Sequence, residues 1–381
     1  MIEINKSVCV LGGGGSIGSR LVHQLVSNGY SVTVVVRRLQ SAVRIGRLKV
    51  NIVVMDLLDE PQGNLDKLFH GIDYVIDCSF QTGADTKKVI QQSKEVAQKV
   101  LMAANLAGVN RIVHYGTISV YPKDGVTINE QTQCDYSGES YADGKLAAER
   151  TFLKADNVTP VTVLQLPIVF GPFMNWTVSI ANDMSGSKLI IPDSFYGVCS
   201  AVYVDDVVRV SEQALSQEVA DNQKLLINGI NLSWTNFYQE MAQLSDSFSM
   251  EIVTRLEYEQ AVKELERNQS PFSRLRTKFA QDGDFRQLVL AQFGFRHVYR
   301  LVKQIKGQPG IDKIKTSIAD DPDVSRENGN LLPKDRADLF DALPQIDSSL
   351  ASDTLNFKAS NFHQCMQETR EWLIWAGYVN H

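Results

Sequence analysis

In the first half of the chain, apolar residues fall into short, near-continuous runs. Each run is followed by a longer stretch in which apolar positions recur every three or four residues. SVCVLG is the first such run, and SIGSRLVHQLVSNG, closing on Gly29, is the helical stretch behind it. YSVTVVVRR is β-branched almost throughout, NIVVMD repeats the pattern, and LDKLFHG supplies another helical segment. DYVIDCS predicts a fourth strand, about Asp85 to Gly108 a long helix, RIVHYGT a fifth strand, and VTVLQLPIVF a sixth. A strand that is apolar at every position is buried on both faces, and the intervening helices supply the cover. The expectation is an α/β fold, a doubly wound parallel sheet with helices on both sides.

The rhythm changes after Pro172. WTVSIANDMSGSKLIIPDSFYG reads as loop-rich, SAVYVDDVVRVSEQAL as a strand and helix, and LLINGI as one more strand. From about Leu256 to Ser349 the pattern is polar and helical, interrupted by the loop-like QPGIDK and ADDPDVSRENGN. The organisation expected is a sheet domain over residues 1–172 with the segments at about 201–230. A smaller, mostly helical C-terminal substrate domain then takes 173–200 and 231–381, with a long helical elaboration at about 256–350.

Composition narrows the function classes. The 381 residues are 44% hydrophobic and 22% charged, which is ordinary for a globular chain with a large core. A net charge of −6 gives no overall attraction to nucleic acid or an anionic membrane. The five cysteines are scattered without a CxxC pair, which suits reduced thiols in a cytoplasmic protein. No HExxH or His–Cys cluster occurs, so no metal site is expected. No apolar run reaches the roughly 18 residues of a membrane-spanning helix. MIEINKSVCVLGG reads as a strand and turn rather than a secretion signal.

The first strand ends in VCVLGGGGSIGSR. Gly13, Gly15 and Gly18 fit GxGxxG, and Gly12, Gly15 and Gly18 fit GxxGxxG; Ser16 and Ile17 lie between. A glycine loop between the first strand and first helix is where a dinucleotide pyrophosphate meets free backbone N–H groups and the helix dipole. The fold expected is therefore Rossmann-like, and the cofactor a nicotinamide dinucleotide. The second strand ends on Arg37 and Arg38, where an Asp or Glu would favour NAD. A guanidinium suits the 2′-phosphate, so NADP is favoured, with NAD as the alternative. Asp56 and Leu57, after NIVVMD, are placed to reach the adenine, although a plain strand-end turn explains Asp56 nearly as well.

Thr117 ends the fifth strand, and Tyr141 follows 24 residues later with Lys145 one helical turn beyond, in SYADGKLAAER. YRLVK, Tyr299 to Lys303, has the same spacing but no sheet edge before it, and reads as an amphipathic helix surface. The glycine loop, Thr117 and the Tyr–Lys pair together resemble the extended short-chain dehydrogenase/reductase family, the NAD(P)-dependent epimerase/dehydratase group. PIVFGP, VYVDDV and the ending FHQCMQETREWLIWAGY add to the resemblance, which covers nearly all of residues 6–240.

The resemblance implies that Tyr141 is the general acid/base and that Lys145 lowers its pKa and touches the nicotinamide ribose. It implies further that Thr117 hydrogen-bonds the reacting oxygen. Pro167 and Val169 would lie beside the nicotinamide, and Cys78 and Ser79 would pass beneath the cofactor; core packing is an equal reading for Cys78 and Ser79. Ile118 and Ser119 stand where the 4,6-dehydratases carry acidic residues, which disfavours dehydration. Ile168 replaces an Asn common in sugar-nucleotide epimerases, which weakens a nucleotide-sugar substrate.

Two enzymatic readings follow. One is an oxidoreductase interconverting a hydroxyl and a carbonyl on a sugar, nucleotide-sugar or related polar molecule. The other is an epimerase with retained NAD. A reading of another class is an inactive dinucleotide-binding structural or regulatory subunit, which the intact Thr–Tyr–Lys set argues against. Trp176, Met184, Phe195, Tyr196 and Cys199 are candidates to line the substrate pocket, with core packing an equal reading for each. A basic, aromatic-rich segment at 271–307 reads first as a helical lid, second as a pocket for a phosphate-bearing substrate, and last as a membrane-surface contact. Nucleic acid is not expected there, and family precedent implies a homodimer.

Overall fold

The computed structural model describes residues 6–122, 127–154, 158–184, 188–193, 197–243, 248–268, 330–341 and 345–378. The strands are β1 (Ser7–Leu11), β2 (Ser31–Val36), β3 (Asn51–Val54), β4 (Tyr74–Asp77), β5 (Arg111–Thr117), β6 (Val161–Leu166), β7 (Ile168–Phe170), β8 (Lys188–Pro192), β9 (Val198–Tyr203), β10 (Gln223–Leu226), β11 (Ile230–Ser233), β12 (Ser249–Val253) and β13 (Asn330–Leu331). The main helices are α1 (Ser16–Ser27), α2 (Gln62–Phe69), α3 (Thr86–Ala107), α4 (Ser140–Phe152), α5 (Asn175–Asp183), α6 (Val204–Ala214), α7 (Trp234–Ala242) and α8 (Arg255–Asn268).

Seven strands form one parallel sheet in the order β10-β6-β5-β4-β1-β2-β3. All residues of β5 and β6 are buried, the polar ones among them, such as Arg111, His114, Thr162 and Gln165, being hydrogen-bonded. On one face Leu21, Val22 and Leu25 of α1 pack with Val207, Val208 and Val210 of α6. On the other, Leu65 and Phe69 of α2 and Val96 and Val100 of α3 meet Ala148 and Phe152 of α4. The long helix α3 begins where Asp85 accepts from the Lys88 N–H and ends at Gly108, whose φ of 69° an L side chain seldom adopts. The strand order reverses between β1 and β4, so the loops leaving those two strands diverge and open a crevice.

Several segments depart from their sequence reading. VTVLQLPIVF is two strands, broken at Pro167, which has no N–H to donate to a ladder. β6 stays in the main sheet, while β7 joins β9 and β11 in a second sheet. LLINGI divides likewise: β10 forms the sheet edge beside β6, and β11 pairs antiparallel with β9. The stretch read as loop-rich contains helix α5, and KLIIP is strand β8, flanked in parallel by β12 and β13. An aromatic core of Phe170, Trp234, Phe237, Tyr238 and Phe340 gathers these pieces, and Met184 and Cys199 are buried in it. Those two residues are therefore core, not pocket lining. Phe195, Tyr196, the basic segment 271–307 and the Tyr299–Lys303 pair lie outside the described residues.

Candidate active site

A cavity of about 970 Å³ opens along the carboxyl ends of β1, β4, β5 and β6. At one end it is lined by Gly12, Gly15, Ser16, Ile17 and Gly18. This loop is shaped by close approach. Gly12 has φ of 74°, and a Cβ there would lie 3.1 Å from the Cys78 backbone. A Cβ on Gly18 would stand 2.7 Å from the Gly12 carbonyl oxygen. The N-cap Gly15 makes no side-chain cap, so the first-turn N–H groups of α1 are left for a ligand. A pyrophosphate fits this cradle. Gly13 packs inward: its Cβ would strike Val34 at 2.5 Å, so the turn has no room for a side chain there.

Arg37 and Arg38 stand exposed beyond β2, outside the cavity lining, and the chain then folds back so that the Ser41 carbonyl covers Gly14. Asp56 follows β3 half-buried, its Oδ1 accepting from the Leu58 N–H at 3.1 Å, and Leu57 is buried. Cys78 borders the cavity, with burial pushing its thiol pKa up, so it is a neutral wall. Pro167, Ile168 and Val169, at the β6–β7 break, form the opposite wall.

The chemistry-bearing groups converge at the middle. Thr117 ends β5 with its Oγ1 accepting from the Ser119 N–H at 3.2 Å. Tyr141 sits in the first turn of α4 and lines the cavity together with Thr117. The helix is pinned there by Asp143, whose carboxylate accepts from the Ser137 and Gly138 N–H groups at 2.7 and 3.0 Å. Gly144 lets α3 close against α4, since a Cβ would lie 2.7 Å from Val89.

Lys145 is 7% exposed, and its ammonium donates to the Tyr115 carbonyl at 2.8 Å and the Ser79 carbonyl at 3.2 Å. An ammonium has three donors, so one is left for a ligand. Burial pushes the Lys145 pKa down, opposed by the Asp77 charge. Burial pushes the Tyr141 pKa up and Thr117 opposes it, so the phenol keeps its proton at neutral pH.

Some neighbours have no counterpart in the sequence reading. The Phe80 ring meets Tyr141 edge-on at 5.8 Å and lies 5.6 Å beneath the Lys145 ammonium. Ser137, Glu139, Tyr121, Asn175 and Leu339 join the lining, alongside Trp176. Asp77, fully buried behind Lys145, carried the one available signal: a carboxylate in an otherwise apolar strand end. Among the described residues no group of three or more His, Cys, Asp or Glu could hold a metal ion. None of the described helices is long and apolar enough to cross a membrane.

A parallel sheet in this order, a glycine cradle at its switch point and a Thr–Tyr–Lys cluster beside it define a dinucleotide-dependent enzyme of the short-chain dehydrogenase type. Residues 8–228 match the NAD dependent epimerase/dehydratase family, and the chain belongs to that family. It is an NAD(P)-dependent enzyme of the extended short-chain dehydrogenase/reductase type. Anthocyanidin reductase of Arabidopsis thaliana is 24% identical over 253 residues, covering 57% of this chain and 74% of that protein. Cinnamoyl-CoA reductase 2 of Medicago truncatula is 25% identical over 195 residues, covering 46% of this chain and 57% of that protein. An epimerase from Methanothermobacter thermautotrophicus shares the fold, with a TM-score of 0.66 and 16% identity over 99% of this chain and 95% of that one.

Proposed function

We propose that the protein reduces a carbonyl on a small molecule to a hydroxyl, with NADPH as the cofactor. The observation that carries this reading is that Thr117, Tyr141 and Lys145 line the same cavity as the glycine loop, with the Tyr141 pKa pushed up so that its phenol has a proton to give. When bound, the nicotinamide supplies the hydride to the carbonyl carbon. Tyr141 would give its phenolic proton to the carbonyl oxygen, so that the product is an alcohol. Thr117 orients that oxygen through its hydroxyl. Lys145 offers its third N–H to the cofactor ribose and stabilises the phenolate that Tyr141 becomes. Gly12, Gly15, Ser16, Ile17 and Gly18 hold the pyrophosphate, and Asp56 and Leu57 bound the adenine. Arg37 and Arg38, exposed beyond β2 and without an ion pair among the described residues, would hold a 2′-phosphate.

The substrate side of the cavity bears Ile118, Tyr121, Pro122, Met174, Trp176 and Leu339, with Ser119, Ser137 and Glu139 as polar groups. Among the described residues its lining has no cation besides Lys145. A nucleotide-sugar diphosphate calls for guanidinium or ammonium partners, so an uncharged, partly aromatic carbonyl compound fits better. The names of the two reductases above accord with an aromatic substrate.

The test has two arms. Protein heated to release its ligands should yield little NAD⁺, and NADPH should bind more tightly than NADH. NADPH absorbance should then fall with aromatic aldehydes or ketones and not with UDP-sugars. Stoichiometric retained NAD⁺ would replace this reading with that of an epimerase.

A further inference from the structure

Behind Lys145 lies a pair of buried titratable groups that the proposed reaction does not use. Asp77 ends β4 and His114 lies opposite it on β5, in register; they are 2% and 1% exposed. Asp77 Oδ2 is 2.8 Å from His114 Nδ1. Asp77 Oδ1 accepts from the Ser79 N–H at 2.9 Å and from the Ser79 hydroxyl at 2.6 Å. The Ser79 carbonyl is one of the two that hold the Lys145 ammonium; the other belongs to Tyr115, the residue after His114. Both supports of the lysine are thus fixed, through backbone, to the two members of one buried pair.

We propose that Asp77 and His114 are positioning residues that clamp Lys145 in place and hold its positive charge for the cofactor ribose. Burying a lone carboxylate in this strand costs several kcal/mol as an order of magnitude, so Asp77 persists only because it is bonded and faces a cation. Burial pushes the Asp77 carboxyl up, but the His114 and Ser79 bonds and the Lys145 charge outweigh it, and it stays ionised. Burial keeps His114 neutral, so Nδ1 carries the hydrogen donated to Asp77, and Nε2 borders a chamber of about 20 Å³ shared with Lys145. The groups that bear on the lysine charge are Asp77 at the end of β4, Cys78 after it, His114 on β5 and Glu149 on its own helix, with Tyr141 one turn before it on that helix. Burial keeps the Cys78 thiol and the Tyr141 phenol neutral, which leaves Asp77 as the first opposing charge.

The test reads NADPH binding, by fluorescence, from pH 7 to 10.5 in a Tyr141→Phe background, where Lys145 is the titrating group of the site. It rests on the cofactor reading above: failure of the parent to bind NADPH sinks that reading, whereas failure of the clamp leaves parent binding intact. Asp77→Asn should lower the pH at which binding is half lost by at least about one unit, the usual effect of removing an adjacent opposite charge. His114→Leu should move it the same way. His114→Asn, whose amide can stand in for Nδ1–H, should keep the parental midpoint. If Asp77→Asn does not fold, the two His114 variants decide. Midpoints within about 0.3 pH unit of the parent in every folded carboxylate or leucine variant overturn the proposal, because a merely structural pair would change melting temperature alone.

Discussion

At the scale of single residues, the proposed reaction depends on one oxygen. Tyr141 is 48% exposed, which leaves its phenol within reach of a substrate, and Thr117 shares its cavity. Tyr141→Phe removes the proton donor and little else. Turnover should fall by about 10² to 10⁴, with the melting temperature and NADPH affinity close to parental; full activity would refute the acid role. Arg37→Ser with Arg38→Ser should weaken NADPH binding while leaving NADH binding unchanged, because only NADPH has a 2′-phosphate. Equal losses for the two cofactors would remove the arginines from the adenosine site. Tyr141 and Lys145 were legible from their place, on the helix after Thr117 and behind the glycine loop, since Tyr299 and Lys303 share their spacing. The pKa of Tyr141 was not, because it depends on how deeply α4 seats its phenol against Phe80. That packing joins residues 61 positions apart.

At the scale of elements, what the chain declares and what it conceals have different physical causes. β1 to β6 and α1 to α4 each carry their own signal: an apolar run too long to be exposed, or a helical stripe closed by Gly29 or Gly108. β8 has no such autonomy. KLIIP is a strand because β12 and β13 flank it, and those partners lie more than 50 and 130 residues further along. α5 likewise depends on Ile180 and Ala181 finding the Trp234–Phe340 cluster. The glycine loop is the opposite case, where local sequence dictates local shape. Gly18→Ala would place its Cβ 2.7 Å from the Gly12 carbonyl oxygen and 2.8 Å from the Gly13 Cα. Both are backbone atoms, so the loop itself must move. NADPH affinity should drop about tenfold or more, since 1.4 kcal/mol of distortion suffices, as calorimetry would show. An unchanged affinity would place the pyrophosphate elsewhere.

At the scale of the whole molecule, the buried Asp77–His114 pair couples the site to global stability. Burial holds His114 below its ordinary 6.5 in the folded chain, against the pull of Asp77. The unfolded chain therefore binds a proton as pH falls through 6.5, while the folded chain does not until a lower pH. Stability from this group is complete above 6.5 and is lost on acidification, by at most about 1.4 kcal/mol per pH unit. Asp77 is also held below its ordinary value, so its contribution disappears only at still lower pH, as the solution passes below 3.8. The two windows are separate. Thermal melts between pH 7.5 and 5 should show a falling melting temperature in the parent and a flatter profile in His114→Asn, which keeps a donor for Asp77 but cannot take up a proton. Parallel profiles would mean that His114 takes up its proton equally in the folded and unfolded chains, so that the folded ring is charged at pH 5. In that case the ring and Asp77 would form an ion pair, and the site would hold one more positive charge beside Lys145 than its hydrogen bonds indicate.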